Sequence, residues 1–89
     1  MDTTKYKAIS REIAADLDAL AKKYDLSNYS FIGFMGEPNK GHVPICLHSV
    51  TKPKFKDHLH LQLAKVVFLN AMDQLAKVGG NVYEMKFDS

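Results

Sequence analysis

The residues with chemistry to offer are concentrated in one stretch, HVPICLHSVTKPKFKDHLH from His42 to His60, which holds all four histidines, the only cysteine and a Lys-x-Lys-x-Lys run. Three chemistries have to be weighed for it: a metal centre, a cysteine nucleophile and an anion site.

Metal binding needs ligands that converge. His58 and His60 are two apart, and on a helix that separation turns them by roughly 200°, onto opposite sides. His42 and His48 share a strand face but lie about 20 Å apart at the usual rise. Only Cys46 with His48 can meet, which falls short of the paired cysteines and histidines that mark zinc. No metal and no cofactor are expected.

Nucleophilic catalysis needs an activated thiol, a base in reach and a group that orients the base. Cys46 and His48 project from one strand face, but no carboxylate accompanies them in the pattern, and a lone cysteine is usually an inert filler. The chain is therefore read as non-catalytic, with an enzyme built on Cys46 and His48 as the remotest class.

An anion site has more behind it. Lys52, Lys54 and Lys56 precede or enter the first turn expected for the second helix, where unpaired amides and the helix dipole already favour negative charge. Lysines there oppose the helix but suit a phosphate or carboxylate. Pro53 restricts the approach, and Lys40 and His42 of the GEPNKGH loop can reach the same end of a sheet. The bland counterpart is a solubilising basic surface that protects an edge strand. Gly36 and Gly41 have the interval of a phosphate-binding loop, yet a strand follows them and not a helix, so a hairpin turn explains them better.

The elements that must position these residues follow from periodicity. From Thr4 to Tyr24, apolar residues at Tyr6, Ile9, Ile13, Leu17, Leu20 and Tyr24 recur at helical spacing. Asp2, Thr3 and Thr4 offer N-cap oxygens. YSFIGFM reads as a strand apolar on both faces, GEPNKG as a turn, and VPICLHSV as a second strand that Pro44 marks as an edge or a strand start. A second helix is expected from about Lys54 to Val78, ended by Gly79 and Gly80. VYEMKF then alternates as a last strand, with Tyr83, Met85 and Phe87 inward and Glu84 and Lys86 outward.

The fold expected is α+β in the order helix, strand, strand, helix, strand. It has a three-stranded antiparallel sheet of order 2-1-3 and both helices on one face, because only the first strand shows two apolar faces. With 89 residues, there is room for one domain, spanning residues 1–89. A hydrophobic fraction of 46% with 25% charged residues excludes a disordered chain, and a net charge of +2 excludes the strong overall basic field of nonspecific nucleic-acid binders. One cysteine cannot form an internal disulfide, and no segment has signal-peptide or membrane-span character, so the cytoplasm is the expected location.

The second helix carries a surplus. Leu61, Ala64, Phe68, Ala71, Met72 and Leu75 form a core arc, while Leu59, Leu63 and Val66 lie on the opposite arc, which turns polar at Asn70, Asp73, Gln74 and Lys77. A contiguous apolar patch on a small domain marks an interaction surface, and closed two-fold symmetry makes a homodimer the default.

The leading expectation is a small self-associating binding protein that holds an anionic ligand, a nucleotide or nucleic-acid phosphate, near Lys40, His42, Lys52, Lys54 and Lys56. The alternative is a protein-protein interaction module, an inhibitor or adaptor, that masks a larger target with the apolar patch and the outer sheet face. Tyr29, Phe31, Phe34 and His48 would then be contacts.

Overall fold

The computed structural model describes residues 3–37, 43–77 and 85–88. Lys40, His42, the GEPNKG turn beyond Glu37, the Gly79-Gly80 helix stop and the start of the last strand lie outside the described residues, as does the expected cap Asp2.

Helix α1 runs Thr3–Lys23, strand β1 Asn28–Met35, strand β2 Val43–Val50, helix α2 Leu59–Lys77 and strand β3 Met85–Asp88, with a 3-10 turn at Pro53–Phe55 ahead of α2. The sheet order is β1-β2-β3. β1 pairs antiparallel with β2 from Asn28 opposite Val50 to Met35 opposite Val43. β3 pairs with β2 in parallel, from Cys46 opposite Met85 to Ser49 opposite Asp88. The expected sheet, wholly antiparallel in the order 2-1-3, is therefore wrong. A parallel neighbour needs a crossover connection, and α2 supplies it.

The helices are also placed otherwise than expected, one on each face. Tyr6 and Ala14 of α1 pack with Val43, Ile45 and Leu47, joined by Ile9, Ile13, Leu17, Tyr29, Phe31 and Met35. Phe68 and Met72 of α2 pack with Cys46, joined by Leu75. Odd and even positions of a strand point to opposite faces, so α1 and α2 sandwich β2. The error has an identifiable cause. The face Pro44, Cys46, His48 looked too polar to be covered, yet every residue from Val43 to Ser49 is buried. Pro44 is tolerated because it lies outside the Cys46–Ser49 stretch that β3 pairs, and its carbonyl accepts the hydroxyl of Tyr6.

The stripe of α1 is centred on small residues. Tyr6, Ser10, Ala14 and Ala21 are buried, whereas Leu20 and Tyr24 near its end are exposed. The larger Ile9, Ile13 and Leu17 are partly buried against the same core. α1 stops in a double bond pattern, Leu26 N–H to Ala21 C=O at 2.8 Å and Asp25 N–H to Lys22 C=O at 3.4 Å. Asp25 takes the left-handed position, φ 57°, that glycine most often occupies in this cap. The exit is tied across the sheet end: the Thr51 amide donates to the Ser27 carbonyl at 2.9 Å, and the Thr51 hydroxyl donates to the Leu26 carbonyl. Tyr29 adds a strut by donating to Asp18 Oδ1 at 2.9 Å.

Separate cores on opposite faces should respond independently. Ile13→Val under α1 should cost about 0.5–1.5 kcal/mol and Phe68→Leu under α2 about 1 kcal/mol. In urea unfolding, the double variant should match their sum within about 0.5 kcal/mol. A coupling well above that value would mean that the two helices share one core.

Candidate interaction surface on α2

α2 begins at Leu59, five residues later than the lysine pattern suggests. Pro53 opens a 3-10 turn instead, and a polar run, KDH, follows it before the helix starts. His58 is the cap: its carbonyl accepts the Gln62 amide at 2.9 Å, and its Nδ1 accepts the His60 amide at 3.2 Å. The Gln62 side chain donates back to the Lys56 carbonyl at 2.7 Å. Because His58 precedes the helix, the 200° argument fails for it, and the two imidazoles meet edge to face with centroids 4.9 Å apart. Among the described residues, no group of three or more His, Cys, Asp and Glu side chains is placed to hold a metal ion.

The lysines do not converge. Lys52 Nζ lies 2.6 Å from Asp25 Oδ1, a half-buried cation against an exposed acid. The hydrogen bond and charge of Lys52 hold the Asp25 carboxyl below its ordinary range, against a small desolvation effect. Lys52 thus fastens the end of α1 to the segment after β2. Lys54 Nζ sits 5.0 Å from the centroid of the Phe55 ring, within the range of a cation–π contact. Lys56 faces a shallow depression of about 200 Å³, with Lys65, Asp57, Gln62, Leu61 and Val50 as neighbours. Lys56 shares that depression with a second cation, Lys65, which the spacing argument missed.

Cys46 and His48 share the α2 face of β2 as expected, but their surroundings are those of a core. Cys46 is buried among Phe68 and Met72, and burial pushes its thiol pKa up, away from the thiolate a nucleophile needs. His48 Nδ1 is 2.7 Å from Ser30 Oγ, and its ring stacks on Phe68 at 5.3 Å and 27°. Burial first, and the charge of Lys65 second, lower its pKa. The imidazole is therefore neutral near pH 7 and serves as a packed, hydrogen-bonded core group. His48 and Phe31, two of the four contacts expected on an outer sheet face, sit on opposite faces, the first under α2 and the second under α1.

The aliphatic surplus stands out in this frame. Leu61, Phe68 and Met72 are buried, while Leu59, Leu63, Val66 and Val67 keep 75%, 59%, 58% and 60% of their surface exposed. At roughly 100° per residue these four occupy one arc opposite the core arc. Val67 was missed in the wheel reading, although it lies one turn beyond Leu63. The edge strand extends the patch, for Ile32 and Phe34 of β1 are also exposed. Between β1 and α2 runs an open groove of about 610 Å³ lined by Ser30, Ile32, His60, Leu63, Ala64, Val67, Phe68 and Ala71. It opens where the side chains of α2 leave Ile32 of β1 uncovered. Among the described residues, no helix is long and apolar enough to cross a membrane.

No protein-family model matches the chain, and comparison with curated proteins and with solved structures finds no match.

The neutral, buried His48 gives acid sensitivity a definite sign. Its folded-state pKa lies below the ordinary 6.5, so the unfolded chain binds the proton first as pH falls. This contribution to stability is whole above about pH 6.5 and is lost as pH drops toward the folded pKa. Urea midpoints should therefore fall between pH 7.5 and 5.5. His48→Gln should start less stable and lose less over the same interval. Equal losses in both proteins would remove His48 from the account.

Proposed function

We propose that this chain is a small non-catalytic binding protein that works by self-association through the outward face of α2. The observation that carries the reading is the exposure of Leu59, Leu63, Val66 and Val67 in one arc, continuous with Ile32. Covering the exposed part of each side chain is worth roughly 1–2 kcal/mol. The sum is comparable with the entire stability expected of a domain this size, about 4–13 kcal/mol at the usual value per residue. The buried Cys46 thiol and the packed, neutral His48 favour a function of contact over one of reaction.

Anion binding is the second reading, and its one support is the depression where Lys56 and Lys65 lie together. Lys52 is engaged by Asp25, and His58 takes the His60 amide, one of those a phosphate at the helix start would use. Asp57 at the rim of the same depression works against an anion.

Salt separates the two. In sedimentation equilibrium at 50 and 500 mM NaCl, an apolar dimer should persist unchanged or tighten slightly. Leu63→Glu should yield a monomer with an unchanged circular-dichroism spectrum, and Lys54→Gln with Lys56→Gln should leave association intact. The contrary result is a monomer at both salt concentrations that binds an oligonucleotide or nucleotide. Its affinity would fall steeply with salt and would be lost in the lysine variant.

A further inference from the structure

Resting on that reading, we infer that two copies pair through antiparallel α2 helices crossing at Leu63, with each copy's Leu59 seated against the partner's Val67 at the groove beside β1. Leu59, Leu63, Val67 and Ala71 are four apart in sequence and form one continuous ridge. Ridges of that spacing on two helices interdigitate at a crossing angle near −50°, the commonest class in globular proteins. A two-fold axis at Leu63 sets each Leu63 against itself. It also sets residue 59 of one helix near residue 67 of the other, so the apolar stretch 59–67 covers its own copy end to end.

The charge pattern selects the antiparallel sense. The arc that is apolar from Leu59 to Val67 continues through Asn70, Asp73, Gln74 and Lys77, with Asp73 and Lys77 paired at 3.0 Å. A parallel pair would stack Asp73 on Asp73 and Lys77 on Lys77. The antiparallel crossing carries these halves apart into water and opposes the helix dipoles. Lys65, the cation inside the apolar stretch, lines the depression beside Lys56 and Leu61, off this arc. Two copies can therefore approach without like charges meeting.

The area suffices. From their fractional exposures, Leu59, Leu63, Val66, Val67 and Ile32 offer roughly 500 Å² per copy, so two copies reach the ~1,000 Å² that a specific interface needs before polar neighbours are counted. The groove receives the partner's leucine, which accounts for its open, apolar form.

Cysteine cross-linking tests the crossing. At an interaxial distance of 8–10 Å, helix Cα atoms at the crossing point come within about 4–5 Å, inside disulfide reach. Leu63→Cys should form a covalent dimer rapidly under mild oxidation, while Leu59→Cys and Asp73→Cys should not. The natural protein should not either, because Cys46 is buried. Sedimentation of the same samples distinguishes the levels of failure. A dimer that leaves Leu63→Cys unlinked, or that links Leu59→Cys or Asp73→Cys as fast, overturns the antiparallel crossing and leaves self-association standing. A monomer overturns both.

Discussion

β2 needs cover on both faces, and the rest of the molecule is arranged around that requirement. Seven consecutive residues, Val43 to Ser49, are buried, including a proline, a cysteine, a histidine and a serine. Burying such a strand requires an apolar layer on each face, and every polar group left without a partner costs stability. α1 answers for Val43, Ile45 and Leu47, and α2 for Cys46 and His48. Two of the polar groups are served from other elements, His48 Nδ1 by Ser30 of the neighbouring strand and the Pro44 carbonyl by Tyr6 of α1. These bonds also fix the register between layers, since a one-residue slip would turn His48 into the α1 core and Leu47 toward α2.

A helix about 10 Å wide with its side chains spans roughly two strands, since a sheet gains about 4.8 Å per strand, and α2 touches β1 and β2 alike. Ile32 and Phe34 of β1 nevertheless stay open to water on that side. On the other face, under α1, Phe31 lies over Gly33. A Cβ at Gly33 would stand 2.9 Å from the Phe31 ring. The α1 face is thus filled at Gly33, while the α2 face stays open beside Ile32.

How much of this could be read beforehand depends on where the information resides. The helices and strands were legible because period 3.6 and period 2 are local properties of sequence; Phe68, Met72 and Leu61 were legible as core for the same reason. The sheet order was not. It turned on whether Pro44, Cys46 and His48 could be interior, and the answer rests on Ser30, Tyr6 and Phe68, partners 18 to 38 residues distant or on another element. The lysine cluster misled in the opposite way. Three cations within five residues suggest a common target, but a 3-10 turn and the His58 cap direct Lys52 to Asp25 and Lys56 toward Lys65. Leu59, Leu63 and Val66 were identifiable because a wheel needs only the helix to exist, and the break before Leu59 left their phase intact.

α2 therefore answers to two demands that its sequence satisfies on opposite arcs. The inner arc, Leu61, Phe68, Met72 and Leu75, is required by β2. The outer arc has no such claim from its own sheet, and in a solitary helix its positions would cost nothing to make polar, as they are from Asn70 onward. Retaining four β-branched or leucine side chains in water there lowers solubility without adding to the core, and Val66 and Val67 are not even favoured by helix propensity. A second apolar surface would give those residues an energetic role. The polar switch at Asn70 bounds the arc: its apolar part ends within the first turns of α2, next to the groove beside β1, and the last turns are polar.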